Sequence, residues 1–199
     1  MATKFYLTNT AADISPTVKG GWSDASPVVF RKLGKEPEGS YGSNSNASTE
    51  DDTVAAIFVS DPIGGQTITG TVNGMVMSEH ASGSGSTTLS WHVYVSQGDS
   101  TSLTRGTLVN HQLSTASGLT TTLRGNALAS ESVSSVAAQQ GDRIVIEIGS
   151  EGDFGTVVGY GGTGSDLTSG STTTNNPGWI EFSMDLSFGG VQYRAFILE

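Results

Sequence analysis

Short apolar runs of β-strand length recur along this chain, and turns rich in Gly, Ser and Asn separate them. Lys, Glu and Ala do not gather into the periodic blocks that helices prefer. The pattern therefore predicts an all-β fold, an antiparallel β-sandwich that is jelly-roll-like and has long polar loops. The predicted strands lie at residues 4–9, 26–33, 53–60, 66–79, 87–97, 105–113, 118–125, 142–149, 155–162, 178–186 and 191–198. Residues 126–140 are predicted to be strand or irregular structure, with a short helix as the competing alternative.

Two of these segments alternate clearly enough to predict which side chains face the core. In "TTLSWHVYV" the residues at 89, 91, 93 and 95 share one face, so His92 and Tyr94 are expected on an exposed outer face. In "DRIVIEIG" the three isoleucines oppose Val145 and Glu147, and Gly141 in the preceding turn is expected at a positive φ. The first segment and "RGTLVNH" are predicted to form a hairpin whose turn surrounds Asp99.

Residues 1–199 are predicted to form a single domain. The polar stretches 34–52 and 161–177 lack periodicity and are predicted to be surface loops. Residues 187–199 are interpreted as a last strand or as an arm that contacts a partner, because their apolar residues are too many to leave in water. These apolar residues are Val191, Tyr193, Phe196, Ile197 and Leu198.

Charge and composition exclude several functions. The net charge of −10 opposes contact with phosphate backbones, so no nucleic-acid partner is expected. The absence of Cys excludes disulfides and thiolate metal sites. No export signal is recognised, and no apolar run is long enough to cross a bilayer, so we expect no membrane partner.

Candidate catalytic and metal-binding residues do not form a motif. The carboxylates Asp61, Glu79, Glu147 and Glu181 have no paired spacing and are interpreted as solvated side chains of outer strand faces. The three histidines, His80, His92 and His111, match no zinc spacing, although an antiparallel sheet could bring them together. We therefore predict no catalytic residue, no metal and no cofactor.

Glycan binding is a more serious alternative, since sandwiches that hold sugars use exposed aromatic faces with polar loop residues. Tyr41, Tyr94 and Tyr160 are candidates for such a platform, and each is as well explained by packing. Within the predicted hairpin, the candidate glycan contacts are His92, Tyr94 and Asp99.

Five blocks follow one another in a recognisable order. They are "MATKFYLTNTAADISPTVKGGWSD", "FVSDPIGGQTITGTVNGMV", "VYVSQGDSTSLTRGTL", "GDRIVIEIG" and "NPGWIEFSMDL". Over most of residues 1–186 this order resembles a group of jelly-roll virion structural proteins of tailed bacteriophages.

The resemblance implies a protein that is not an enzyme and that assembles in the host cytoplasm onto the capsid exterior. It implies a decoration or cement protein, with the major capsid protein as partner and a homo-oligomer, preferably a trimer, as the assembly state. A tail or capsid appendage that binds a host receptor or glycan is the alternative. The predicted partner contacts are Lys4, Phe5, Tyr6, Leu7, Tyr41, Val191, Tyr193, Phe196, Ile197 and Leu198.

Overall fold

A computed structural model describes residues 1–48, 50, 52–81, 87–113, 118–152 and 155–189. Within these residues the chain forms strands and no helix, so none of them builds a helix that could span a membrane. The strands are β1 (Thr3–Ala11), β2 (Val29–Gly34), β3 (Gly42–Asn46), β4 (Asp52–Ser60), β5 (Gln66–Ile68), β6 (Thr71–His80), β7 (Thr88–Ser96), β8 (Thr104–Leu113), β9 (Arg124–Ser132), β10 (Val136–Ala138), β11 (Arg143–Glu151), β12 (Thr156–Tyr160) and β13 (Trp179–Phe182).

Eleven of the described strands belong to one sheet in the order β3-β12-β6-β13-β1-β2-β4-β11-β7-β8, with β9 paired to β6. Strands β5 and β10 form a separate pair. The fold is an all-β sandwich, as the pattern predicts. The expectation of a purely antiparallel sheet needs one correction, because β2 and β4 run parallel.

The long sheet folds over itself, so that strands far apart in its order share one core. Phe5 of β1 and Phe182 of β13 lie in the same buried cluster as Trp91 of β7 and Ile146 of β11. The predicted core faces are therefore confirmed for β7 and β11, whose residues at 89, 91, 93 and 95 and at 144, 146 and 148 all enter this cluster.

The second face of β4, β11 and β7 is also buried, because residues 12–28 cross it. We call this segment the N-terminal strap. Beneath it Ile57, Tyr94 and Val145 form a second cluster, against which Ile14 and Trp22 of the strap pack. The same strands are thus buried on both faces, whereas an antiparallel sheet commonly has one face in solvent.

The hairpin of β7 and β8 is confirmed by their antiparallel pairing, and Gly141 has the expected positive φ, at 94°. The strand predicted at 118–125 is wrong, since β9 begins only at Arg124. The single strand predicted at 66–79 is divided into β5 and β6, with Gly70 at a φ of 95° between them.

The prediction that 34–52 is entirely loop is also wrong, because β3 lies within it and pairs with β12. Strand β3 has the polar sequence GSNSN, so it lacks the apolar alternation on which strand prediction depends. Side chains of β3, rather than its backbone, form hydrogen bonds with backbone carbonyls of β4. Asn44 Nδ2 donates to the Ala55 carbonyl at 2.8 Å, and Asn46 Nδ2 donates to the Val54 carbonyl at 3.0 Å.

Candidate functional site

The expected exposure of His92 and Tyr94 is wrong. Only 3% of His92 and 1% of Tyr94 is accessible, because the strap covers the face of β7 from which they project. The Tyr94 hydroxyl donates to the carbonyl of Thr17 in the strap at 3.2 Å. A glycan has no access to either ring while the strap is in place. Asp99 does reach solvent, with 72% of its side chain exposed.

A single buried carboxylate holds the middle of the strap. Glu147 of β11 is fully buried, which contradicts its interpretation as a solvated residue. Its Oε1 accepts the backbone N–H of Lys19 at 2.6 Å. Its Oε2 accepts the backbone N–H of Gly20 at 2.8 Å and the indole Nε1–H of Trp22 at 2.7 Å. Three strap donors therefore converge on one side chain of the sheet.

Gly20 is required at this point by close packing. A Cβ there would lie 2.9 Å from Glu147 Oε2 and 3.0 Å from the His92 Cβ, and closer still to the indole nitrogen of Trp22. Any larger residue would push the strap away from the sheet and lengthen the hydrogen bonds to Glu147.

His92 and His111 meet beside this carboxylate. The backbone N–H of His111 donates to His92 Nδ1 at 3.1 Å, so the neutral His92 ring carries its proton on Nε2. His111 Nδ1 lies 2.7 Å from the Gly20 carbonyl, and its ring stacks on Trp22 with the centroids 4.3 Å apart. The His111 Nε2 lies 4.0 Å from Asp52 Oδ1.

Burial shifts the protonation of this cluster. It lowers the pKa of His92 from 6.5 to about 4, and the neighbouring His111 adds to the effect. Burial also raises the pKa of Glu147, although the hydrogen bonds from Trp22, Lys19 and Gly20 oppose that rise. At neutral pH His92 is therefore neutral, and its role is to fix β8 and the strap rather than to carry charge.

Arg143 forms a second attachment point for the strap. It is 5% accessible and donates to both carboxylate oxygens of Asp13, at 3.0 and 2.9 Å. It also donates to Asp99 Oδ1 at 2.8 Å and to the Ser60 carbonyl at 3.0 Å. One guanidinium thus joins the start of the strap, the turn of the β7–β8 hairpin and the end of β4.

These two attachment points connect the sequence blocks that carry the resemblance. Asp13 and Trp22 belong to the first block, Asp99 to the "VYVSQGDSTSLTRGTL" block, and Arg143 and Glu147 to "GDRIVIEIG". Three distant blocks therefore meet at Arg143, and two of them meet again at Glu147. These hydrogen bonds and ion pairs attach the strap and the hairpin turn to the sheet.

The N-terminal partner contacts divide between core and surface. Phe5 and Leu7 are fully buried and pack in the main core, so of these four predicted contacts only Lys4 and Tyr6 present side chains to solvent. Tyr41 is half-buried, and burial raises its pKa. The contacts predicted at Val191, Tyr193, Phe196, Ile197 and Leu198 lie outside the described residues.

Lys4 and Tyr6 belong to a face that sequence reasoning did not assemble. Across β1, β13 and β6, Tyr6 pairs with Trp179 and Trp179 pairs with Met75. In the neighbouring row Lys4 pairs with Glu181 and Glu181 with Asn73. We call these six half-exposed residues the β1–β13–β6 face.

Asp166 extends over this face from the 161–177 loop. It accepts Lys4 Nζ at 2.8 Å and the Tyr6 hydroxyl at 3.0 Å, and 41% of its side chain remains exposed. Lys4 Nζ also lies 4.7 Å from the centroid of the Trp179 ring. The hydrogen bond and charge of Lys4 lower the pKa of Asp166. The alternation of β1 and β13 predicts that these side chains point outward. No pattern in the sequence predicts that Asp166 contacts them.

The remaining candidates do not combine into a reaction centre. Asp61 pairs with Lys32 at 3.0 Å, and Glu79 lies on β6 opposite Val157. His80 lies on β6, whereas His92 and His111 belong to the paired strands β7 and β8. In the part of the chain that the structure describes, no three His, Asp or Glu residues are grouped so that they could hold a metal ion.

Comparison with known proteins adds little. The sequence matches no protein-family model and no curated protein. Among solved structures, that of the Gx strain of infectious bursal disease virus is similar at 14% identity with a TM-score of 0.29. The match covers 92% of this chain and 41% of the viral chain, so this protein spans less than half the length of that one. A TM-score this low does not show a shared fold.

Proposed function

We propose that this protein is a non-enzymatic structural protein of a bacteriophage virion that binds the outside of the capsid and stabilises contacts between major capsid proteins. The observation that carries the proposal is the pair of attachment points at Arg143 and Glu147. The blocks that resemble phage virion proteins supply the residues of both points, which attach a strap and a hairpin to the sandwich.

A rigid sandwich is suited to this role. Both faces of β4, β11 and β7 are packed, so the domain resists deformation when neighbouring subunits pull on it. Many copies of a modest interface then add through multivalency, and a homotrimer would multiply the contacts further. Within the described residues, Lys4, Tyr6 and Tyr41 are the proposed partner contacts that reach the surface.

The decisive experiment locates and counts the protein in purified phage particles. Labelled antibody and quantitative mass spectrometry should find hundreds of copies on the head, and particles that lack the protein should lose their DNA at a lower temperature or under milder osmotic shock. A few copies confined to the tail would favour the appendage alternative. Particles equally resistant with and without the protein would contradict a stabilising role.

A further inference from the structure

The β1–β13–β6 face combines two half-exposed aromatic rings with charged and amide groups at their edge. We propose that this face, centred on Trp179 and Tyr6, binds the pyranose ring of a neutral glycan. The proposal is independent of the structural role proposed above, because it applies equally to a protein of the head or of the tail.

The apolar part of the face has the shape that a sugar ring requires. Tyr6, Trp179 and Met75 are direct cross-strand neighbours on β1, β13 and β6, so their side chains form a continuous strip. A pyranose presents C–H groups on its flat faces and hydroxyls around its rim. Lys4 Nζ lies over the Trp179 ring, 4.7 Å from its centroid, so a stacked sugar would move this ammonium from the ring to its own rim hydroxyls. Its C–H groups would then be buried on the strip, and the other hydroxyls would lie over the adjacent polar row.

The polar row still has unused hydrogen-bonding capacity. A carboxylate offers about four acceptor positions, and Asp166 uses two of them for Lys4 and Tyr6. The ammonium of Lys4 has three donors, of which one is directed at Asp166. Donors and acceptors for sugar hydroxyls are therefore available side by side.

The site is held in position before a ligand arrives. Asp166 precedes Leu167, which is 1% accessible and anchors the 161–177 loop. The Leu167 carbonyl accepts the indole N–H of Trp179 at 3.0 Å, and its N–H donates to the Pro177 carbonyl at 3.1 Å. The loop thus fixes the Trp179 ring and the Asp166 carboxylate together, which lowers the entropy lost on binding.

The local charges favour a neutral sugar. Asp166 and Glu181 outnumber Lys4 in the face, and the whole chain carries a charge of −10. A sialic or uronic acid would be repelled by this potential, whereas uncharged hydroxyls can bind both signs of charge.

The experiment is saturation-transfer NMR on the full chain, followed by tryptophan-fluorescence titration. The probes are the methyl glycosides of glucose, galactose and mannose, N-acetylglucosamine oligomers and, as the charged comparison, sialyllactose. We expect at least one neutral probe to bind with a Kd between about 0.1 and 10 mM. Asp166→Asn and Trp179→Leu should each weaken it by about tenfold or more. Asp61→Asn, which makes the same change at another exposed carboxylate paired with a lysine but outside the face, is the matched control and should bind as the wild type does.

Trp179→Leu also removes the bond to Leu167, so a thermal melt must show that the variant is folded. Glu181→Gln provides a second variant that preserves side-chain size, and it should weaken binding without lowering the melting temperature. Absence of binding by every neutral probe at 10 mM, which is about the weakest affinity that would count as recognition, would overturn the proposal. Binding that survives Asp166→Asn and Glu181→Gln, or sialyllactose as the tightest ligand, would overturn it as well.

Discussion

His92 makes the attachment of the strap dependent on pH. In the unfolded chain its imidazole takes up a proton near pH 6.5, whereas burial in the folded protein delays protonation to about pH 4. Between these values the unfolded state binds more protons, so stability is fully present above pH 6.5 and falls as the pH is lowered toward 4. The difference between 6.5 and about 4 corresponds to about 3 kcal/mol at 1.36 kcal/mol per pH unit.

The assay is urea unfolding at pH intervals between 7.5 and 3.5, with the wild type compared to His92→Asn. The asparagine keeps an oxygen acceptor near the position of His92 Nδ1, which accepts the His111 N–H, but it does not titrate. Other groups contribute to both proteins alike, among them Glu147, whose raised pKa favours the folded state on acidification. The wild type should therefore lose about 3 kcal/mol more than the variant between pH 7 and pH 4.

Two results would refute this reasoning. The first is an equal pH slope for the wild type and His92→Asn. The second is an NMR titration in which the His92 imidazole of the folded protein is half-protonated near its ordinary value of 6.5 rather than near 4. Either result would mean that solvent reaches the ring and that the strap does not seal this face of the sheet.

Three substitutions test the rest of the framework, each by urea unfolding. Glu147→Gln turns an amide donor toward strap N–H groups and should cost about 2 to 3 kcal/mol of unfolding free energy; an unchanged midpoint would contradict the role of the carboxylate. Arg143→Met leaves Asp13 and Asp99 without their shared donor and should cost about 2 kcal/mol of unfolding free energy. The loss should be smaller at high salt than at low salt, and a loss that does not depend on salt would mean that Arg143 acts by packing alone. Gly149→Ala places a methyl group against the Thr53 carbonyl oxygen and 2.7 Å from the Val54 Cα, so it should lower the urea midpoint, and a wild-type midpoint would contradict this close packing.

Local alternation identified the strands that matter most for the core. In β7 and β11 the side chains change face at every residue, so a short stretch of sequence suffices to separate Trp91 and Ile146 from His92 and Glu147. The same rule fails for β3, where Asn44 and Asn46 satisfy backbone groups of β4 that a neighbouring strand would otherwise pair. A polar strand of this kind has no hydrophobic period to detect.

The candidate sites depended on contacts between distant residues. Trp22 and Glu147 are separated by 125 positions, and Lys4 and Asp166 by 162. No local pattern could show that the strap would cover His92 and Tyr94 or that the 161–177 loop would extend over Tyr6. Of the residues expected to bind a glycan, His92 and Tyr94 lie beneath the strap and Tyr160 lies in the main core. The half-exposed aromatic pair, Tyr6 and Trp179, lies instead on β1 and β13.

The sequence by itself determined that the chain is all-β, that β7 and β8 form a hairpin and which side chains of β7 and β11 share a face. These are consequences of strand geometry and turn chemistry, which act over a few residues. Only the tertiary structure decided what lies against each face. Which side chains are buried depends on where the rest of the fold places residues 12–28 and 161–177. The free energy of burial is set by the surface that covers a side chain and not by the strand that presents it.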